Sequence, residues 1–380
     1  MAEASRGGPR VLVTTANLGG GTGTHLTALL GQPALRDLEV RLLCYGEVEV
    51  EPPASVSVTE RRTFGRLDRF PVAQVRRGVH MGRFVAKWRP ELVHAYFYWP
   101  ILYARLLKMR GLIPILVENR EDEGFNLGRR EYRLLRSTRH VPDRVVCVSN
   151  AVRRVVVERE GVPLERTRVL PNGVRLPGNG GSPVAEREVL AEFDIMSEHL
   201  VVGMVANLNR AVKGVRHLLD AVPRVRDEFP HVRFLIVGDG LDRRNLEAQA
   251  RALGVTPWVV FTGFRPDVAR LYRAMDVSVL TSLSEGLSIT VLESMSHGLP
   301  VVATSVGGNP EVVRHEETGL LVPPEDPSAV AQALVRILGD PEERRAMGAA
   351  GRREVARRFA LSRVADRYRQ VYRELLAGAR

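Results

Sequence analysis

The chain has 380 residues, 44% of them hydrophobic, and a formal net charge of +11. That length and composition suit two domains of ordinary size, each with its own core, and exclude a disordered chain or a small disulfide-stapled scaffold. The two cysteines, Cys44 and Cys147, fall in apolar strand-like runs and read as buried free thiols in a reducing cytoplasm, not as a disulfide or metal site.

The excess charge is one-sided. Residues 1–175 carry 29 Lys and Arg against 18 Asp and Glu, whereas residues 176–380 carry 26 of each. The first half is therefore expected to face something anionic. Arginine supplies nearly all the positive charge, and the only lysines are Lys87, Lys108 and Lys213. Residues 1–10 are polar, and the run at 11–13 is too short for a signal-peptide core. No stretch approaches the roughly 18 apolar residues that a membrane span needs. The expectation is a cytoplasmic protein, with peripheral contact at the inner face of the cell membrane as the variant that the basic half suggests.

Short apolar runs alternate with amphipathic stretches, the pattern of parallel sheets with crossover helices. In the first half, strands are predicted at 10–15, 39–44, 92–95, 113–117 and 144–148. The run Gly19-Gly20-Gly21-Thr22-Gly23-Thr24-His25 follows the first strand. Its glycines permit positive φ and close backbone approach to a ligand; the alternative is an ordinary flexible turn. No Lys follows the last glycine and the spacing misses G-x-G-x-x-G, so a Walker loop is not expected. Residues 61–89 carry nine Lys and Arg and one acid, Asp68, interleaved with Val72, Val75, Val79, Phe84 and Trp88. This fits either a surface helix with its apolar face on the core or a basic amphipathic element on an anionic membrane. No nucleic-acid module or stacking platform is recognisable, and nucleic acid is not expected as a partner.

His94 lies near the end of its predicted strand, where it is read as facing the ligand side, in either a structural or a functional role. Glu118-Asn119-Arg120-Glu121-Asp122 closes the next strand. Glu121-Asp122-Glu123 has the look of an Asp-x-Asp metal motif, but no companion ligands are evident and no metal is expected.

Residues 176–183, rich in Gly, Pro and Asn, read as a linker. In the second half, strands are predicted at 200–206, 232–237, 259–262, 277–281 and 300–303. The loop after the first of these holds Arg210 and Lys213, two cations three apart that can clamp a diphosphate and neutralise a departing nucleotide. Gly238 and Phe264-Arg265 follow two further strands, and Asp239 fits a cap for the helix after it. Next comes Thr281-Ser282-Leu283-Ser284-Glu285-Gly286-Leu287-Ser288, with a helix predicted over 289–295. Glu285 and Gly286 sit at the strand-to-helix crossing, and Leu287 and Ser288 open the helix. Free first-turn amides and the helix dipole make a phosphate site there. Glu293 lies about 7 Å further along the helix. Two carboxylates would repel a phosphate unless each binds hydroxyls, so the pattern describes a nucleotide sugar. Residues 361–376 form an amphipathic helix.

This ordered set of segments resembles the retaining glycosyltransferases of family GT4, which have the GT-B fold. Glu285 and Glu293 match the E-x7-E motif, and the likeness continues through Val301-Val302-Ala303-Thr304, Val306-Gly307-Gly308-Asn309-Pro310-Glu311 and Thr318-Gly319-Leu320-Leu321-Val322. The resemblance implies an α/β GT-B fold of two Rossmann-like parallel-sheet domains facing across a cleft. An N-terminal acceptor-binding domain would span 1–175, a linker 176–198 and a C-terminal nucleotide-sugar-binding domain 199–360. A C-terminal helix, 361–380, would return to the first domain. It further implies that Glu285 contacts the donor sugar, the amides of Gly286, Leu287 and Ser288 the diphosphate, and Glu293 the ribose. Gly238 would lie near the donor, the Phe264–Arg265 backbone on the nucleobase, and Gly20 and Gly21 against the diphosphate. Arg210 and Lys213 resemble the cations of the family's Arg-Pro-Val-Lys-Gly loop, with Ala211 where proline is common and one extra residue after Asn207. Where many members carry a histidine that touches the sugar, this chain has Arg120, which can bind a hydroxyl or carboxylate but cannot accept a proton at neutral pH.

The function implied is retaining transfer of a sugar from a nucleotide-diphosphate sugar to an acceptor hydroxyl, without metal or further cofactor. Cell-surface glycan, glycolipid or glycosylated-metabolite synthesis would be its setting, with a lipid-linked acceptor as one version. The alternatives are a non-hydrolysing sugar-nucleotide epimerase, an inactive donor-binding partner subunit of a glycosyltransferase complex, and a membrane adaptor.

Overall fold

The computed structural model describes residues 8–46, 48, 50–54, 56–61, 72–124, 127–178, 187–209 and 211–379. It divides into two compact units, residues 1–173 with 361–380, and residues 174–360.

Among the described residues, unit 1 is built on seven parallel strands: β1 (Arg10–Thr15), β2 (Glu39–Cys44), β3 (Ser57–Arg61), β4 (Leu92–Tyr96), β5 (Ile115–Arg120), β6 (Arg144–Cys147) and β7 (Thr167–Val169), in the order β3-β2-β1-β4-β5-β6-β7. Side chains alternate faces along a strand. On β1, Val11 and Val13 enter one apolar cluster, while Leu12 enters the cluster on the other face. Continuous burial along β1, β4 and β5 follows from helices covering both faces of a parallel sheet. Strand β5 runs on past the predicted end at 117 and buries Glu118, Asn119 and Arg120. Those polar side chains tolerate burial because each is paired.

The helix Leu361–Gly378 belongs to unit 1. Leu361, Val364, Ala365, Tyr368, Val371 and Tyr372 recur at helical spacing and join the β1–β2 core cluster. The Tyr368 hydroxyl donates to Asn119 Oδ1 at 3.1 Å, and Arg369 pairs with Asp37.

Unit 2 has, among the described residues, six parallel strands: β8 (Leu200–Val205), β9 (Val232–Val237), β10 (Val259–Gly263), β11 (Val277–Leu280), β12 (Val301–Thr304) and β13 (Gly319–Val322), in the order β10-β9-β8-β11-β12-β13. Val174 bridges Ala360, so the chain enters and leaves this unit side by side. Part of the predicted linker belongs to this unit's core. A 3₁₀ segment, Glu188–Phe193, buries Val189 and Leu190 against Leu271 and Tyr272. The unpredicted strands β3, β7 and β13 are all edge strands. Short edge strands carry little of the apolar signal that marks central ones.

Candidate active site

In an open parallel sheet, ligands bind beyond the carboxyl ends of the strands where the strand order reverses. In unit 2 that switch point lies between β8 and β11. The loop after β8 carries Lys213, and the loop after β11 carries Glu285. Their backbones are locked together. Leu283 N–H donates to Val212 O and the Thr281 hydroxyl donates to Gly214 O, both at 2.8 Å. Gly214 has φ +65°, and a Cβ there would lie 2.0 Å from Thr281 O, so glycine alone permits the contact. As a result, Lys213 Nζ donates to Glu285 Oε1 at 2.7 Å. The buried Ser282 hydroxyl donates to the same oxygen at 2.6 Å. Gly307 backs the site: its φ is +51°, and a Cβ would fall 1.6 Å from Glu285 O. Thr304 steadies the loop by donating to Ser282 O at 2.6 Å. The pair is only partly solvated, with side-chain exposures of 19% and 9%.

The helix that follows begins at Ile289, as predicted, and Ser288 opens it without Leu287. Ser288 is its N-cap, and its hydroxyl accepts from Val291 N–H at 3.3 Å. Gly286 and Leu287 therefore precede the helix, in a buried turn between Glu285 and the cap. One helical turn further along, Glu293 is half-buried and accepts from the Tyr272 hydroxyl at 3.2 Å. Burial pushes the Glu293 carboxyl up to about 7, against the lowering effect of the tyrosine hydrogen bond.

Two further loops rim the same edge. Gly238 has φ +132°, and a Cβ on it would meet Ala206 O at 1.9 Å, so the loops after β8 and β9 pack backbone to backbone. Phe264, after β10, is 76% exposed. Arg265 is not available as a side chain: it pairs with both Asp267 oxygens at 2.8 Å and with Glu192 at 2.7 Å. Asp242, not Asp239, occupies the cap position of the next helix, and Asp239 accepts from Gly240 N–H instead. Arg210 lies outside the described residues.

The switch point of unit 1 lies between β1 and β4. The glycine run is not a loop there but the first turn of a helix, Gly20–Leu30, whose cap residue Gly19 makes no side-chain cap. Gly20 has φ +61° and Gly21 follows inside the turn. Gly23 passes so close to Leu18 that a Cβ would lie 2.3 Å from its carbonyl carbon. Phe97, after β4, also adopts positive φ, +66°. A non-glycine residue held there marks a locally strained strand end.

Two candidates in unit 1 require correction. His94 does not face a ligand: it is completely buried between Tyr96 and the C-terminal helix, and its Nδ1 shares a 2.7 Å hydrogen bond with the Tyr372 hydroxyl. Burial lowers its pKa to about 3, so the ring is neutral. Arg120 is likewise committed. Its guanidinium donates to Glu160 at 2.9 and 2.7 Å and to Glu118 at 3.0 Å. Glu118 in turn accepts from Arg105 Nε and Nη2 at 2.6 and 2.7 Å. This buried Arg105–Glu118–Arg120–Glu160 chain leaves Arg120 a structural role.

Sequence reasoning missed Ser282 and Tyr272, which position the two acids. Ser282 stood inside the recognised segment, whereas Tyr272 lies 21 residues before Glu293 and carried no local signal. Glu121 was weighed only as part of a metal motif. That side chain accepts from Asn119, and desolvation raises its pKa to about 8.

Comparison with known proteins covers both halves of the chain. Residues 19–176 match the family model described as Glycosyltransferase Family 4, and residues 199–340 match Glycosyl transferases group 1. The D-inositol 3-phosphate glycosyltransferase of Segniliparus rotundus is 30% identical over 308 residues, covering 77% of this chain and 68% of that protein. The putative glycosyltransferase EpsD of Bacillus subtilis is 29% identical over half of each chain. The chain spans about half the length of several curated relatives that it matches. Among solved structures, sucrose-phosphate synthase from Thermosynechococcus elongatus superposes with a TM-score of 0.83 at 22% identity, over 97% of this chain and 100% of that one. HepE of Anabaena, in complex with UDP and glucose, gives 0.79 at 20%, over 96% and 100%. With two parallel-sheet units and relatives of this kind over most of its length, the chain belongs to glycosyltransferase family 4 and has the GT-B fold.

Proposed function

We propose that this protein transfers a glycosyl group from a nucleotide-diphosphate sugar to an acceptor hydroxyl with retention of configuration. The observation that carries the reading is the Lys213–Glu285 pair at the switch point of the unit 2 sheet, directly before a capped helix. A diphosphate there would take Lys213 as its cation and draw on the amides of Gly286 to Ser288 and the helix dipole. Glu285, released from Lys213, would accept from donor-sugar hydroxyls, and Glu293 would accept from the ribose. Phe264 would lie against the base, with Gly238 permitting close approach. The relative HepE, crystallised with UDP and glucose, supports a donor of this class.

The chemistry follows from the charges. The bond between the anomeric carbon and the phosphate oxygen breaks through an oxocarbenium-like state, and the new bond to the acceptor oxygen forms on the same face. The acceptor proton passes to the departing phosphate oxygen, whose charge Lys213 and Arg210 offset in place of a metal. Gly20 and Gly21 would close on the diphosphate. Unit 1, with 33 Lys and Arg against 20 Asp and Glu, would receive the acceptor, and the reaction would take place in the cytoplasm or at the inner membrane face. A glycan, glycolipid or small metabolite fits as acceptor.

The test is the thermal shift of the purified protein with UDP-, GDP-, ADP- and dTDP-sugars, beside Lys213→Ala. A selective rise with one nucleotide, weakened in the variant, is expected. No shift with any of them would sink the donor site.

A further inference from the structure

The helix Val72–Trp88 contains four Arg and Lys and no acidic residue over 17 positions. Its packed face is settled by its contacts. Ala73, Met81, Val85 and Trp88 are buried, and Gly78 and Gly82 pass close to Tyr103 and Leu107 on the helix Tyr98–Met109. The opposite face holds a line of valines that no other described residue covers. Val72, Val75 and Val79 are 56%, 64% and 49% exposed, at spacings of three and four that stack them along one edge. At 100° per residue, Arg76, Arg83 and Lys87 fall on the adjoining edge of that same exposed face. Of the two readings of this segment, the one with the apolar face on the core holds for Trp88 and Phe84, which pack there with Met81 and Val85, and not for Val72, Val75 and Val79. The supporting helix also exposes Leu106 and Met109.

Three aliphatic side chains beside three cations, on a helix without a single carboxylate, make a surface with two demands. One is removal of apolar area from water, and the other is a field of negative charge. Valine cannot stack on bases, which disfavours single-stranded nucleic acid. An anionic bilayer satisfies both demands, taking valines among the acyl chains just below the headgroups and arginines among the phosphates. The charge division agrees, since unit 2 has 22 Lys and Arg against 24 Asp and Glu.

We infer that the exposed face of Val72–Trp88 is an interfacial docking surface that seats unit 1 on an anionic lipid bilayer. This deepens the reading of the basic unit and does not depend on glycosyl transfer. The experiment is co-sedimentation of the full chain, without nucleotide, with vesicles of phosphatidylglycerol and phosphatidylcholine in equal parts and with vesicles of phosphatidylcholine alone. The parent should bind the mixed vesicles and not the neutral ones. Val75→Glu with Val79→Glu, and separately Arg83→Glu with Lys87→Glu, should each weaken binding by about tenfold or more. Should the glutamates impair folding, judged by melting temperature, Val75→Thr with Val79→Thr takes their place with a smaller loss in the same direction. Failure of the parent to bind, equal binding to neutral vesicles, or loss through the cation variant alone would overturn the proposal. A dimer in sedimentation velocity that Val79→Glu abolishes, without vesicle binding, would overturn it in favour of a second copy of the chain.

Discussion

The two units place charged residues at comparable strand ends and use them in opposite ways. In unit 2, Lys213 and Glu285 meet beyond the carboxyl ends of the central strands β8 and β11 and keep part of their surface in water. In unit 1, Glu118 and Arg120 stand at the end of β5 but are drawn into a buried chain with Arg105 and Glu160. The first arrangement can exchange a protein partner for a ligand. The second cannot, because removing any member strands a charge in a low-dielectric interior. A charged residue after a strand is therefore a candidate only until its partners are known.

The largest effect should come from breaking the unit 1 chain. Glu118→Ala leaves the buried Arg105 guanidinium without a carboxylate and Arg120 with Glu160 alone, and should cost about 3–5 kcal/mol of stability in urea unfolding. Stability close to that of the parent would mean that the network is not structural. Lys213→Ala breaks the other side of the comparison. It should leave the melting temperature close to that of the parent while kcat falls by about 10²–10³-fold in a donor-consumption assay. A mere rise in KM would assign Lys213 to uniform binding instead. Glu285→Gln sharpens the distinction further. In the free protein the carboxylate competes with the diphosphate for Lys213, so the variant should bind nucleoside diphosphate up to about tenfold more tightly by calorimetry while turning over more slowly. Weaker binding would argue that Glu285 organises the site.

The smallest effect concerns pH. The Glu293 carboxyl rises to about 7 in the folded protein, so the folded state holds a proton that the unfolded chain releases near 4.5. Its contribution to stability is fully present below about 4.5 and is lost as pH rises through 7. A hydroxyl donor needs the carboxylate, so donor affinity should strengthen several-fold between about pH 6 and 8 and become flat in Glu293→Gln. A flat profile in the parent would remove Glu293 from the donor site.

Central elements were legible because their signals are local. The predictions at 10–15, 39–44 and 232–237 coincide with β1, β2 and β9, where apolar runs are bounded by turn residues. The same locality hid the edge strands and the start of the helix at Gly20, since four glycines in seven residues read as a loop until Leu18 packs against Gly23. The Lys213–Glu285 pair joins residues 72 apart, and only the recognised order of segments brought both into one expectation. For Arg120, position along the chain pointed to a ligand and tertiary pairing pointed elsewhere.

From sequence alone came the two parallel sheets, the family resemblance and the loops that carry Lys213, Glu285 and Glu293, because strand periodicity and glycine placement act over a few residues. Tertiary structure decided which charges remain open to a ligand. It buried His94 and Arg120, joined Ser282 and Lys213 to one oxygen of Glu285, and left Val72, Val75 and Val79 in water. The physical reason is that desolvation and pairing depend on what the rest of the chain brings within about 4 Å, which no local pattern encodes.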